Sequence, residues 1–193
     1  MPDRISRLVR NGFGEVTQQR SGVGTGLDTA EVSATYRPNG QAETVTDGEG
    51  NMTTYVFDGH DRLSRTRYPD DDTDGTSSAT DYEELTYDAA SNVTNRRLRD
   101  GQSHGFTYDG LNRVTLMNLP GTEPDIGYGY DLLGRITSAS RTGHALSFTH
   151  DALGRQLTET SPNGTVTSAY DLAGRRTKPT RAAGLSARCI LAR

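Results

Sequence analysis

The sequence contains no tryptophan, one cysteine, and only 32% hydrophobic residues in 193. The lone Cys189 excludes an internal disulfide and says nothing firm about compartment. No stretch approaches the roughly 20 apolar residues of a membrane helix, so no membrane span is expected. The opening MPDRISRLVR has no apolar h-region. No signal peptide is therefore visible, which fits either a cytoplasmic start or a chain lacking its true beginning. Net charge is only −4, which argues against nucleic acid as the main partner. Leu, Ile, Val and Phe together fall below the roughly 20% at which disorder must be weighed. Disorder usually needs high net charge as well, and that is missing here. Templates for a G-x-S-x-G nucleophile, a phosphate loop or an H-E-x-x-H zinc site are absent, so no catalytic role is expected.

What the chain does have is glycine, 22 of them, and a period. Tyr130-Asp-Leu-Leu-Gly-Arg135 is followed twenty residues later by His150-Asp-Ala-Leu-Gly-Arg155, and again by Tyr170-Asp-Leu-Ala-Gly-Arg175. More worn copies begin near residues 10, 36, 57, 87 and 108. Fixed-period self-similarity decides the fold before any other feature.

Each copy carries the logic of a β-hairpin. Ile126, Tyr128 and Tyr130 alternate with Gly127 and Gly129, which is the period of a strand. Asp131 opens a turn by accepting hydrogen bonds from the turn's own N–H groups, and Gly134 closes it where φ > 0 is tolerated. Arg135 begins the return strand within reach of Asp131, a partly exposed pair worth roughly 0–1 kcal/mol. The same roles fall to Tyr108, Asp109 and Arg113, to Asp151, Gly154 and Arg155, and to Tyr170, Asp171, Gly174 and Arg175. Asn112 and Asp61 replace the glycine in two copies and suit left-handed backbone; Ser91 suits it less well. Between copies lie second turns at Asp47-Gly48, Asp100-Gly101, Pro120-Gly121, Thr142-Gly143 and Asn163-Gly164. If neighbouring copies pair, their tyrosines build an aromatic row. In the seventh copy Leu157 falls one place late, which predicts a bulge there.

The expected fold is all-β: tandem hairpins forming a curved antiparallel sheet. The repeat region spans 1–177, in about eight degenerate copies, with an aperiodic basic tail at 178–193. A flexible insertion is expected at 21–26 and an acidic loop at 70–81. About sixteen short strands exceed the roughly ten at which open sheets curl or split. Unpaired edges predict edge-to-edge self-association of the isolated chain.

The repeat resembles the YD repeats of the RHS family, which includes bacterial Rhs proteins, the C components of insecticidal Tc toxins, wall-associated proteins and teneurins. The motif Tyr-Asp-x-x-Gly-Arg, then an apolar residue and Thr, is complete or nearly so at 130–137 and 170–177, close at 108–115 and 150–158, and degenerate elsewhere over 9–177. The resemblance implies a β-ribbon that spirals into a hollow shell. In toxin members that shell encloses a C-terminal toxic domain behind a core region with a self-cleavage site. Neither the core region nor a toxin domain is visible here. The chain thus resembles a segment of an RHS shell, secreted or at the cell surface. Its implied partners are the remainder of the shell and a toxin-like cargo. Two other readings stand beside this one: a carbohydrate-binding or adhesion module using exposed Tyr and Arg rows, and a truncated remnant.

One local motif points to a metal. Asp70, Asp72, Asp74, Gly75 and Asp81 match the calcium-loop template, with Asp in the last place. Polar Ser77 at position eight and the lack of flanking helices favour a solvated acidic loop, with calcium as the alternative. No other cofactor is expected. His60, His104, His144 and His150 are scattered, and His150 fills a Tyr slot, where it is expected to pack as a flat ring.

Overall fold

The computed structural model describes residues 5–177 and 180–181. Among these residues every regular element is a β-strand. The chain divides at residue 103 into two units, residues 1–103 and 104–193. The first contains β1 (Ser6–Arg10), β2 (Val16–Ser21), β3 (Thr29–Tyr36), β4 (Ala42–Asp47), β5 (Met52–Phe57), β6 (Leu63–Pro69), β7 (Ser77–Tyr87) and β8 (Val93–Arg97). Each strand pairs antiparallel with the next. The second unit is built the same way from β9 (Ser103–Tyr108), β10 (Val114–Asn118), β11 (Ile126–Tyr130), β12 (Ile136–Arg141), β13 (His144–His150), β14 (Gln156–Ser161), β15 (Gly164–Thr167) and β16 (Thr180–Arg181). The other tail residues, Cys189 included, lie outside the described residues.

Strand periodicity sorts the side chains into two faces. On β11–β15 the register places Gly127, Gly129, Ser138, Ser140, Ser147, Thr149, Thr158, Thr160, Thr165 and Thr167 on one face. The opposite face carries Tyr128, Tyr130, Ala139, Leu146, Phe148 and Val166. On the small-residue face, hydroxyls bond across strands, as in Thr149–Thr158 at 2.6 Å and Thr160–Thr165 at 2.9 Å. The first unit repeats this with Thr35–Thr44 at 2.7 Å. Among the described residues no apolar side chain is fully buried. The aromatic face is only half-covered, as the low apolar content requires.

The bulge expected in the seventh copy is present and recurs elsewhere: the register shifts beside the motif's first residue at Arg10, Tyr36, Phe57, Tyr87, Val114 opposite Tyr108, Tyr130 and His150. A turn closed by a left-handed residue produces this bulge wherever it occurs. The acidic loop is shorter than predicted, because β7 starts at Ser77 and takes Asp81 into the sheet. Asp47-Gly48 is not a two-residue turn either. Asp47 opens a longer one, with Gly50 at φ +93° and the Asp47 N–H donating to the Asn51 carbonyl. The flexible insertion expected at 21–26 instead forms consecutive turns that run on to Asp28, with Thr25 and Asp28 N–H donating to the carbonyls of Gly22 and Thr25.

Candidate functional site: the clamp between repeats

All eight motif turns share one backbone. The N–H of the residue in the Asp slot donates to the carbonyl of the residue in the Arg slot at 2.8–3.0 Å, from Asn11–Glu15 through Asp171–Arg175. The residue in the Gly slot donates back to the Asp-slot carbonyl at 2.9–3.1 Å. That residue is left-handed in every copy: Gly14, Gly40, Gly134, Gly154 and Gly174, but also Asp61 at φ 58°, Ser91 at 66° and Asn112 at 59°.

Within a turn, each Asp carboxylate is fully used. Asp131 Oδ1 accepts the N–H groups of Leu133 and Arg135, both at 2.9 Å, while Oδ2 accepts Arg135 Nε at 2.6 Å. Asp58 with Arg62, Asp109 with Arg113, Asp151 with Arg155 and Asp171 with Arg175 repeat the pattern. These bonds hold the carboxyls below their usual range. Arg62 brings Asp58 down to about 2, and Arg113 lowers Asp109. At Asp131 and Asp151 desolvation pushes upward as the largest single influence. The backbone N–H and guanidinium of Arg135 and Arg155 together outweigh it. At Asp171 the Arg175 N–H leads.

The arginine then reaches out of its own hairpin. Arg113 Nη1 donates to the Asp131 carbonyl of the next copy at 3.1 Å, and its guanidinium lies 4.6 Å from the centre of the Tyr130 ring. Tyr130 completes the clamp by donating its hydroxyl to the Val114 carbonyl at 2.8 Å, one residue past Arg113. Arg62 and Tyr87 make the same set: ring distance 4.4 Å, Arg62 to the Asp88 carbonyl, Tyr87 to the Leu63 carbonyl. Arg155 lies over Tyr170, which donates to the Gln156 carbonyl. Where His150 replaces Tyr, Arg135 still donates to the Asp151 carbonyl at 2.8 Å. Arg175 keeps its Asp171 bond but is 82% exposed.

The aromatic row therefore differs from the expected one. The motif rings stand on every second strand, and guanidiniums alternate with them. Cation–π contacts of this kind contribute about 0.5–1 kcal/mol each at exposed sites. Sequence reading missed this reach across repeats. It also missed that two worn copies swap partners and keep the geometry. In the first, Asn11 Nδ2 donates to Glu15 in the Arg slot. In the second, Arg37 stands in the Asp slot, donates to Gln41, pairs with Asp61 at 2.9 Å and lies over Phe57. An Arg directly after Tyr36, where the motif has Asp, followed four residues on by Gln41, was the available signal.

The candidate calcium residues do not converge. Asp70 Oδ1 accepts the Asp72 N–H, and Asp74 lies beside Gly50. Asp81 sits on β7 with its carboxylate on Arg99, Nε at 2.9 Å, and Arg99 covers the Tyr68 ring. Among the described residues no three His, Cys, Asp or Glu side chains form a group able to hold a metal. No helix among them is long and apolar enough to cross a membrane.

Comparison with known proteins agrees with this geometry. The RHS Repeat family model matches residues 130–166 and 150–186. No curated protein matches in sequence. Among solved structures, the Photorhabdus luminescens Tc holotoxin pore matches with a TM-score of 0.71 at 17% identity, over 93% of this chain and 11% of that one. The TcdB2-TccC3 crystal structure without its hypervariable C-terminal region gives 0.70 at 16% identity, again over 93% and 11%. The TcdB2-TccC3-Cdc42 structure gives 0.72 at 17% over the same shares. The chain thus spans about a tenth of the length of the chains it matches. Residues 130–186 thus carry the RHS repeat, and the same turn and clamp recur in both units, in a chain that shares the fold of these Tc toxin structures.

Proposed function

We propose that this chain is a stretch of shell wall in a longer polypeptide, helping to enclose a toxin-like cargo. The observation that carries the reading is the clamp. Within each unit, repeats fasten to their neighbours through Arg, Tyr and backbone carbonyls, as at Arg62–Tyr87, Arg113–Tyr130 and Arg155–Tyr170, and the polar chemistry is spent inside the wall. Such nearest-neighbour fastening is how repeat arrays extend without a compact core. The matched Tc toxin structures support it by fold, and the cargo role is the part that needs testing.

The test is to express the chain within its longest continuous reading frame and follow protease digestion of any domain beyond it. The wall reading expects that domain to resist digestion until Arg113→Ala and Tyr130→Ala are introduced together. A downstream domain digested equally fast before and after would refute enclosure. The carbohydrate-binding reading is weakened by the rings themselves. Tyr87, Tyr130 and Tyr170 each have a guanidinium over one face, which closes that face to stacking on a sugar. Selective micromolar binding on a glycan array would restore it.

A further inference from the structure

The hydroxyl face is interrupted by charge on β5–β8. The register sets Thr54, Arg67 and Tyr82 in one row, and Val56, Arg65, Glu84 and Arg97 in the next. Two guanidiniums stack on Tyr82, Arg65 at 4.3 Å and Arg97 at 3.9 Å from the ring centre. Arg65 is neutralised by Glu84. Arg97 donates to backbone carbonyls, those of Tyr82 and Leu98. Among the described residues Arg67 has no carboxylate partner, and its Nε is buried without an acceptor. These two rows therefore hold three arginines against one glutamate, a surplus of two positive charges on a half-buried surface.

We propose that Arg67, with Arg97 and Arg65 around Tyr82, binds a doubly charged tetrahedral oxyanion, a phosphate or sulfate group. A dianion matches the surplus. A guanidinium fork matches the edge of a tetrahedral oxyanion with two parallel N–H donors. Stacking on Tyr82 holds two of the three guanidiniums in place beforehand, so little ordering remains to be done on binding. Arg67 supplies the remaining drive. A buried N–H without a partner is unfavourable. Turning the guanidinium so that its Nε edge meets a bound oxyanion removes that penalty. Flanking Thr54 and Ser77, bonded to each other at 2.8 Å, add hydroxyls at the margin.

The experiment is calorimetric titration of the full chain with inorganic sulfate, inorganic phosphate and acetate, at fixed low ionic strength in chloride. The site expects saturable binding of sulfate or phosphate, with the monoanion acetate about tenfold weaker or worse. Arg67→Gln should weaken the dianions by about tenfold. Arg67→Lys should weaken them by less, because it keeps the charge and loses the fork. Arg141→Gln, which removes an exposed charge in the other unit, should leave binding unchanged. Circular dichroism confirms that each variant is folded. Repeating the titration with glucose 6-phosphate and glucose 6-sulfate shows whether the group is taken as an ester or as a free ion, and tighter binding of either source supports the site. Arg67→Gln binding like the parent, Arg141→Gln weakening it equally, or no dianion preference would each overturn the proposal.

Discussion

Replacing Gly134 by alanine isolates the backbone requirement of the repeat. Gly134 has φ +82°, and a Cβ built there meets nothing closer than Arg113 Nη1 at 3.9 Å. Space is therefore open, and the cost is conformational alone. A left-handed alanine costs about 1–2 kcal/mol. Reduced freedom of the unfolded chain returns about 0.4–1 kcal/mol of that. The net loss for Gly134→Ala is thus about 1 kcal/mol, which for a chain of this size lowers a thermal midpoint by about 2–4 °C. Gly134→Asn should cost distinctly less, because Asn112 already occupies the equivalent position at φ 59°. Asn112→Gly should be close to neutral by the same argument. The assay is urea denaturation followed by circular dichroism, with the midpoint compared across the three variants. The reasoning is refuted if Gly134→Ala is neutral, or if asparagine is no better than alanine at 134. Either result would mean that the recurring glycine answers to packing and not to backbone handedness.

Further outcomes follow from the clamp and the charges. Tyr130→Phe removes one hydroxyl bond to the Val114 carbonyl and keeps the ring under Arg113, so it should cost about 0.5–1.5 kcal/mol in the same urea assay. Tyr130→Leu should cost more, since the cation–π contact goes too. The turn carboxyls at Asp58, Asp109, Asp131, Asp151 and Asp171 all lie below their ordinary value when folded. Depressed carboxyls stabilise the fold above about pH 4, and that stability is lost as pH falls toward about 2. Thermal midpoints should therefore drop between pH 4 and 2, and a flat profile there would contradict the hydrogen-bond assignment. Asp81→Asn separates the two roles of that carboxylate. As the partner of Arg99 it should lower the midpoint without calcium present, whereas a calcium ligand would instead abolish a calcium-dependent gain. Size-exclusion chromatography at increasing concentration should show the isolated chain associating through unpaired strand edges, and a sharp monomer peak throughout would argue otherwise.

The sequence by itself determined the unit. Alternation at Ile126–Tyr130, the opening Asp131 and the closing Gly134 are local, and local chemistry is enough to specify a hairpin, its turn and its all-β character. It also located all eight turns, worn copies included, because Asn112 and Asp61 suit left-handed backbone by residue type and Ser91 falls at the same place after its own Tyr-Asp step. Tertiary structure decided what lies between units. Whether Arg113 ends its reach at Asp109 or continues to the Tyr130 ring depends on which strand lies next to β10, and pairing between distant segments is not written in local spacing. The partner swap at Asn11–Glu15 and at Arg37–Gln41 was hidden for the same reason: once the backbone is set by the left-handed glycine, opposite partners can exchange slots without changing the turn. Asp81 shows the limit from the other side. Its spacing from Asp70 suggested a metal loop, but β7 extends back to Ser77, places Asp81 in the ladder, and gives its charge to Arg99 eighteen residues away.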